Sequence, residues 1–517
     1  MKEYIFKRYT AVIIVFFAIV STASGQGGIK NNNQRNWQLL DLTKDSVFGI
    51  SSDLVLTTIL KDFPASPVIV AIIDGGIDTT HEDLKNILWT NPNEIPGNGK
   101  DDDKNGYIDD IHGWSFLGSS KGSFLYDNKD LIRQLRSETL KDRTSDKVKQ
   151  LWKEVNKKNG DLEKAIAELK KKKGIIADIG KALGKSSPSE NELRNYHYRN
   201  FDEEEVLIEM IKAYSRPDGF DGYLQELNGN LNKYDYQLKY FFNYDYNPRE
   251  GKEYKKQFYG TGDVQGPQPF HGSHVAGIAG ADRTNNLGIN GVCSSIQIMS
   301  VRAVPTGDFL EKDLAMAIRY AADNGAKVIN MSTGKITIND QKILDDAVKY
   351  AMGKDVLFVH ACGNDGKELF KGEELYPRKR YLDGGESEAW LEVGGSGPID
   401  NEGLLGFFSN YGKDVVDVFA PGLQIESTIP GNHYMALNGT SMAAPVVAGL
   451  AAMIRSYYPK LSAKQVKDII FQSVSKVNHS VKTARGEIIP FSQTCASGGI
   501  VNAVNAFKLA ESMISLK

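Results

Sequence analysis

Residues 67–73 read Pro-Val-Ile-Val-Ala-Ile-Ile and run directly into Asp74. A short, unbroken run of β-branched residues without polar alternation predicts a strand buried on both faces, as in a parallel sheet. Asp74 then stands at the carboxyl end of that strand, where open α/β sheets build their sites. Ala326–Gly334 and Asp355–Asp365 show the same pattern, each an apolar strand that runs into a glycine-bearing tip, Gly334 and Gly363 respectively.

Residues 438–449 read Asn-Gly-Thr-Ser-Met-Ala-Ala-Pro-Val-Val-Ala-Gly. The small apolar run must open a helix, which puts Ser441 at its N-terminus. There, unpaired backbone N–H groups and the positive end of the dipole favour developing negative charge. Ser and Thr are also ordinary helix caps, so Ser441 becomes a nucleophile only if a base and an orienting acid accompany it. His271-Gly-Ser-His-Val-Ala-Gly277 supplies a histidine opening a second small-residue helix, and Asp74 supplies the acid. The chain order is Asp74, His271, Ser441.

Asp-Gly-Gly-Ile-Asp at 74–78, His-Gly-Ser-His-Val-Ala-Gly at 271–277 and Gly-Thr-Ser-Met-Ala-Ala-Pro at 439–445 resemble the three signature blocks of the subtilisin-like serine proteases. Three blocks in the correct order are a specific signal. The resemblance covers roughly 36–118 and 265–515. It implies a doubly wound parallel sheet with helices on both faces, and a serine endopeptidase acting on peptides or proteins without a catalytic cofactor. Ser441 would attack, His271 would carry the proton and Asp74 would hold the imidazole. His274 is expected to pack behind the site. Asn364, after Gly363, matches the family's side-chain oxyanion donor, with the Ser441 N–H as the second donor. Ser332, Thr333 and Gly334 match the edge that pairs an extended substrate. Asp365 matches a position bordering the pocket for the residue before the scissile bond, which favours basic side chains there.

Net charge is only −3, which argues against nucleic acid as partner. Lys2, Lys7 and Arg8 precede the apolar run 11–20 and the small residues 21–25. This order predicts a cleaved signal peptide over 1–25, export to periplasm, surface or medium, and no stable membrane anchor. Between the signal and the Asp74 strand there is no room for an ordinary propeptide domain. Three cysteines (Cys293, Cys362, Cys495) make no disulfide framework. Cys362, two residues before Asn364, is expected to line the substrate pocket and to make the site sensitive to bulky thiol reagents.

The catalytic domain is thus read as 26–118 and 265–517, split by a charged insertion at 119–264. Asp74 and His271 are 197 positions apart, several times the spacing in small family members. Val148, Leu151, Trp152 and Val155 fall on one helical face, and Ser189…Glu192 is a capping box. A spacer, an exosite and an inhibitory cap all fit this pattern, and the last two make a dedicated maturation protease or transpeptidase the alternative reading. Asp101, Asp103, Asn105 and Asp109 match positions 1, 3, 5 and 9 of a calcium loop, but His112 stands where its final Glu belongs. Asp83 matches a structural calcium ligand of the family. Asn285 is a second match.

Overall fold

In the computed structural model, residues 35–119, 122–216 and 218–515 are described. The expected signal peptide lies outside them. Among them, no helix is long and apolar enough to cross a membrane. The described residues divide into two compact units, one holding 35–125 and 252–515, the other 126–251. The second unit is narrower than the expected 119–264, because the stretches on either side of it belong to the first.

The first unit is built on a nine-stranded sheet. Its centre runs Trp390–Ser396, Leu357–Ala361, Val328–Met331, Val68–Asp74, Ile296–Arg302, all parallel. Val418–Pro421 extends it on one side and Gly113–Ser115 on the other, also in parallel. At the far edge, Gly499–Ile500 pairs antiparallel with Ser475–Lys476. In Val68–Asp74 only Ile69 is less than fully buried, so the apolar run reports covering layers on both faces. One layer contains the helices Phe270–Gly280 and Thr440–Tyr457, whose Val275, Ile278, Val446 and Leu450 share a core with Val70, Ile72 and Val359. The other contains Glu311–Asp323 and Gln341–Gly353, whose Leu314, Ile318, Leu344 and Val348 pack with Ala71, Ile73 and Phe358.

The second unit is helical: Asp130–Lys141, Asp146–Ala182, Glu190–Arg194, Phe201–Ala213 and Gly219–Tyr236. Ser189 caps Glu190–Arg194 through a reciprocal capping box with Glu192, as its spacing predicts. Two small cores hold the unit together. Ile132, Leu135, Val148, Leu151 and Val155 form one. Ile179, Leu193, Val206, Met210 and Phe220 belong to the other.

Candidate active site

Three neighbouring parallel strands deliver their carboxyl ends to one place. Asp74 ends Val68–Asp74, Ser332 follows Val328–Met331, and Asn364 follows Leu357–Ala361. Asp74 is buried, and beside it in register lies Arg302. The Arg302 guanidinium donates to the carbonyls of Gly75 (2.8 Å) and Leu117 (2.8 Å), fixing the turn after Asp74. Burial pulls this guanidinium down to about 10.

His271 is the second residue of Phe270–Gly280. Its Nδ1 lies 3.0 Å from Asp74 Oδ1 and 2.8 Å from Oδ2. Gly272 permits this approach, since a Cβ there would sit 2.2 Å from the Gly76 carbonyl oxygen and 3.2 Å from Asp74 Cβ. Ser273 ties the two segments further, accepting from Asp78 N (2.8 Å) and donating to the Pro269 carbonyl (2.5 Å). Asp78 is occupied locally: its carboxylate accepts from the Thr80 hydroxyl and Gly431 N. His274 is fully buried with Nε2 against the Met435 carbonyl at 2.9 Å, and burial pushes it down to about 3. It is a neutral structural residue.

Ser441 is the second residue of Thr440–Tyr457, and its hydroxyl donates to the Ser332 carbonyl at 3.1 Å. Pro445, inside this helix, has no N–H to give the Ser441 carbonyl four residues back. The Ser332 hydroxyl replaces that donor, reaching the Ser441 carbonyl at 3.0 Å. The Asn364 Oδ1 accepts from Thr440 N (2.8 Å) and the Thr440 hydroxyl (3.0 Å). With the amide oxygen so held, Nδ2 is left as the outward donor beside the Ser441 helix N-terminus. Gly363 adopts φ +103°, and a Cβ there would lie 2.5 Å from Asn410 Nδ2. Asn410 organises this loop: its Oδ1 accepts from Asp365 N and Lys367 N, and its Nδ2 donates to the Cys362 carbonyl and to Asp365 Oδ2.

Ser332 and Thr333 are buried. Beneath them, fully buried His360 faces the Thr333 carbonyl with Nε2 (2.8 Å) and Glu392 Oε1 with Nδ1 (2.9 Å). Glu392 also accepts from Trp390 Nε1, and its backbone N–H donates to Asp417, which pairs with Lys379 at 2.7 Å. Because a trans peptide points C=O and N–H in opposite directions, turning the Thr333 carbonyl inward turns the Gly334 N–H outward. His360, Asn410, Arg302 and Leu375, which lies against Gly334 and Gly363, were missed from the sequence. Each acts through partners distant in the chain.

Two expectations change. Cys362 is fully buried, with Sγ 3.2 Å from the Asn410 carbonyl, and burial raises its thiol well above the usual range. It belongs to the core and does not line the pocket, so thiol reagents have no route to the site through it. In the acidic loop, Asp109 turns to the backbone N–H groups of Asn98 and Gly99. Glu94 joins Asp101 and Asp103 instead, with ligand oxygens all within 4.8 Å of one another. Asn105 gives its amide to Asp103 and Asp110. Asp83 is fully buried; Asn285 Nδ2 donates to its Oδ1, and Ile289 N and the Tyr434 hydroxyl donate to its Oδ2.

Residues 65–487 match the subtilase family, peptidase S8. The chain is 43% identical over 187 residues to the thermophilic serine proteinase of Bacillus sp. (strain AK1), a stretch covering 36% of this chain and 42% of that protein. It is 34% identical over 219 residues to subtilisin DY of Bacillus licheniformis, covering 42% of this chain and 75% of that protein. With subtilisin Savinase of Lederbergia lenta the identity is 35% over 199 residues, covering 38% and 67%. The chain spans less than half the length of the first of these relatives and about two thirds to three quarters of the other two. The family match extends over most of the chain and across the strands and helices that carry Asp74, His271, Asn364 and Ser441, and the protein belongs to the subtilase family.

Proposed function

We propose that the protein is an exported serine endopeptidase that cleaves peptide bonds through an acyl-enzyme on Ser441. The observation that carries this reading is the clasp of His271 Nδ1 by both oxygens of buried Asp74. That contact fixes the ring's tautomer and leaves Nε2 as the basic nitrogen. In the first step Nε2 takes the Ser441 proton as Oγ attacks the scissile carbonyl. The Asn364 amide and the Ser441 N–H then share the developing oxyanion. His271 returns the proton to the departing amine, and water repeats the sequence to release the acid. Every proton moves on side chains named above. Export rests on the basic, apolar and small-residue order of residues 2–25.

Ser332, Thr333 and Gly334 would pair the substrate backbone, with the Gly334 N–H turned outward by the His360 contact. Asp365 would act mainly on the loop, through Asn410. Glu94, Asp101 and Asp103 would hold a structural calcium. Carboxylate oxygens at this spacing suit a hard cation, and the ion would stiffen the 94–110 loop. A chelator should then lower the melting temperature, and an unmoved one would remove the calcium reading. For the chemistry, a peptide anilide assay at pH 8 tests the proposal. Wild type should release the aniline steadily, and Ser441→Ala should lose turnover by about 10⁶-fold, a magnitude known from a subtilisin. Turnover surviving Ser441→Ala would overturn it.

A further inference from the structure

Two segments flank the place where the residue before the scissile bond must sit. If the substrate pairs with Ser332–Gly334 and its carbonyl points at Asn364, that residue's side chain enters between Gly334 and Gly363. Glycine on both walls would ordinarily leave a deep slot. Leu375 fills it. A Cβ built on Gly334 would lie 2.7 Å from Leu375 Cβ and 3.0 Å from its Cδ1. A Cβ built on Gly363 would lie 3.1 Å from that same Cδ1. One isobutyl group therefore touches both glycine walls, and Leu375 is only 6% exposed.

Leu375 is also held in place. The next residue, Tyr376, exchanges two backbone hydrogen bonds with Lys335, N–H to carbonyl at 3.1 and 2.8 Å. Lys335 in turn is buried and salt-bridged to Glu311 at 2.8 Å. The segment carrying Leu375 is thus zipped to the segment that would carry the substrate, and the leucine has no free hinge on which to swing away. The nearby carboxylate of Asp365 accepts from Asn410 Nδ2 at 3.1 Å.

We propose that Leu375 is the floor of the pocket for the residue before the scissile bond and restricts it to small side chains such as Gly, Ala and Ser. A large aromatic or a long basic side chain would have to displace a packed leucine, and close-packed walls resist that. This replaces the basic preference expected from Asp365, and it rests on the endopeptidase reading. Pocket contacts of this size discriminate by about 10- to 200-fold.

Three tetrapeptide anilides differing only in Ala, Leu or Phe before the cleaved bond test the assignment, after the active serine has been counted with a fluorophosphonate. Wild type should favour Ala over Phe by at least about 10-fold in kcat/KM. Leu375→Ala should raise the Phe-to-Ala ratio by about the same factor, with Leu375→Val between. The ratio does not depend on the fraction of enzyme folded, so a destabilised variant still reports. A wild-type ratio near one, a ratio unmoved in both variants, or unlabelled enzyme that leaves the Ala peptide uncut although its Ser441 labels in a parallel aliquot overturns the Leu375 assignment alone. Failure of Ser441 to label overturns the endopeptidase reading as well.

Discussion

Thr440–Tyr457 buries 17 of its 18 residues. Asp146–Ala182 in the helical unit buries 8 of 37. The first helix is made mostly of small apolar residues, because it is covered on all sides within a layer packed against the sheet, and it carries Ser441. The second has an apolar stripe (Val148, Leu151, Val155, Leu162, Ile166, Ile176, Ile179) and leaves most of its other residues open to solvent. Its exposed pairs, such as Lys157–Asp161 at 2.7 Å, contribute little, because water and salt screen them. Each unit has hydrophobic cores of its own, and separate stabilisation is the expectation that follows. Around the site, backbone segments approach too closely for any side chain, as at Gly272 and Gly76.

The largest expected effect belongs wholly to the sheet unit. Asp74→Asn should cut kcat by about 10⁴-fold by releasing the His271 tautomer, with circular dichroism unchanged. A loss of helix content alongside would break the claim of separate stabilisation. Asn364→Leu should cost about 10²–10³ in kcat with little change in KM, measured on the same peptide; an equal rise in KM would place Asn364 in ground-state binding.

In the helical unit, Met210→Ala empties part of the core around Ile179 and Phe220. It should destabilise that unit by about 2–5 kcal/mol. Limited proteolysis should then cut within 126–251 while peptide turnover per labelled serine stays within twofold. Joint loss of both would merge the units into one cooperative block.

His274 gives the sheet unit a pH limit. It is neutral in the fold, with its value pushed to about 3 by burial, whereas the unfolded ring titrates near 6.5. The unfolded chain therefore binds the extra proton first. This stability is fully present above pH ~6.5 and is lost as pH falls toward ~3, by up to about 1.4 kcal/mol per pH unit. His274→Gln in a Ser441→Ala background should flatten the acid limb of the melting curve; an unchanged limb would assign it to other groups. The smallest effect is Ser189→Ala, which removes one capping box for about 1 kcal/mol and should show only as earlier proteolysis near 190.

The contrast also explains what the sequence revealed. Asp74, His271, Asn364 and Ser441 were legible because each lies within a short block whose strand or helix could be read locally. The covered sheet was legible from runs such as 67–73. Glu94 was missed because it joins Asp101 and Asp103 from outside the loop pattern, while Asp109 is drawn off to cap Asn98 and Gly99. Cys362 was misplaced because two-residue alternation fails at Gly363, where a positive φ turns the chain between the thiol and Asn364. His360 looked like an ordinary strand residue; its role depends on Glu392, which is 32 positions away. Leu375 had no local pattern at all, since its position depends on where Gly334 and Gly363 meet.

The central claim is that Ser441 is a nucleophile made reactive by the Asp74–His271 pair. Fluorophosphonate labelling followed by peptide mapping tests it most directly. A single adduct on Ser441 is expected, with a labelling rate lowered by about 10³-fold or more in both Asp74→Asn and His271→Ala. An adduct on another residue, or labelling of Ser441 at an undiminished rate in those variants, would contradict it.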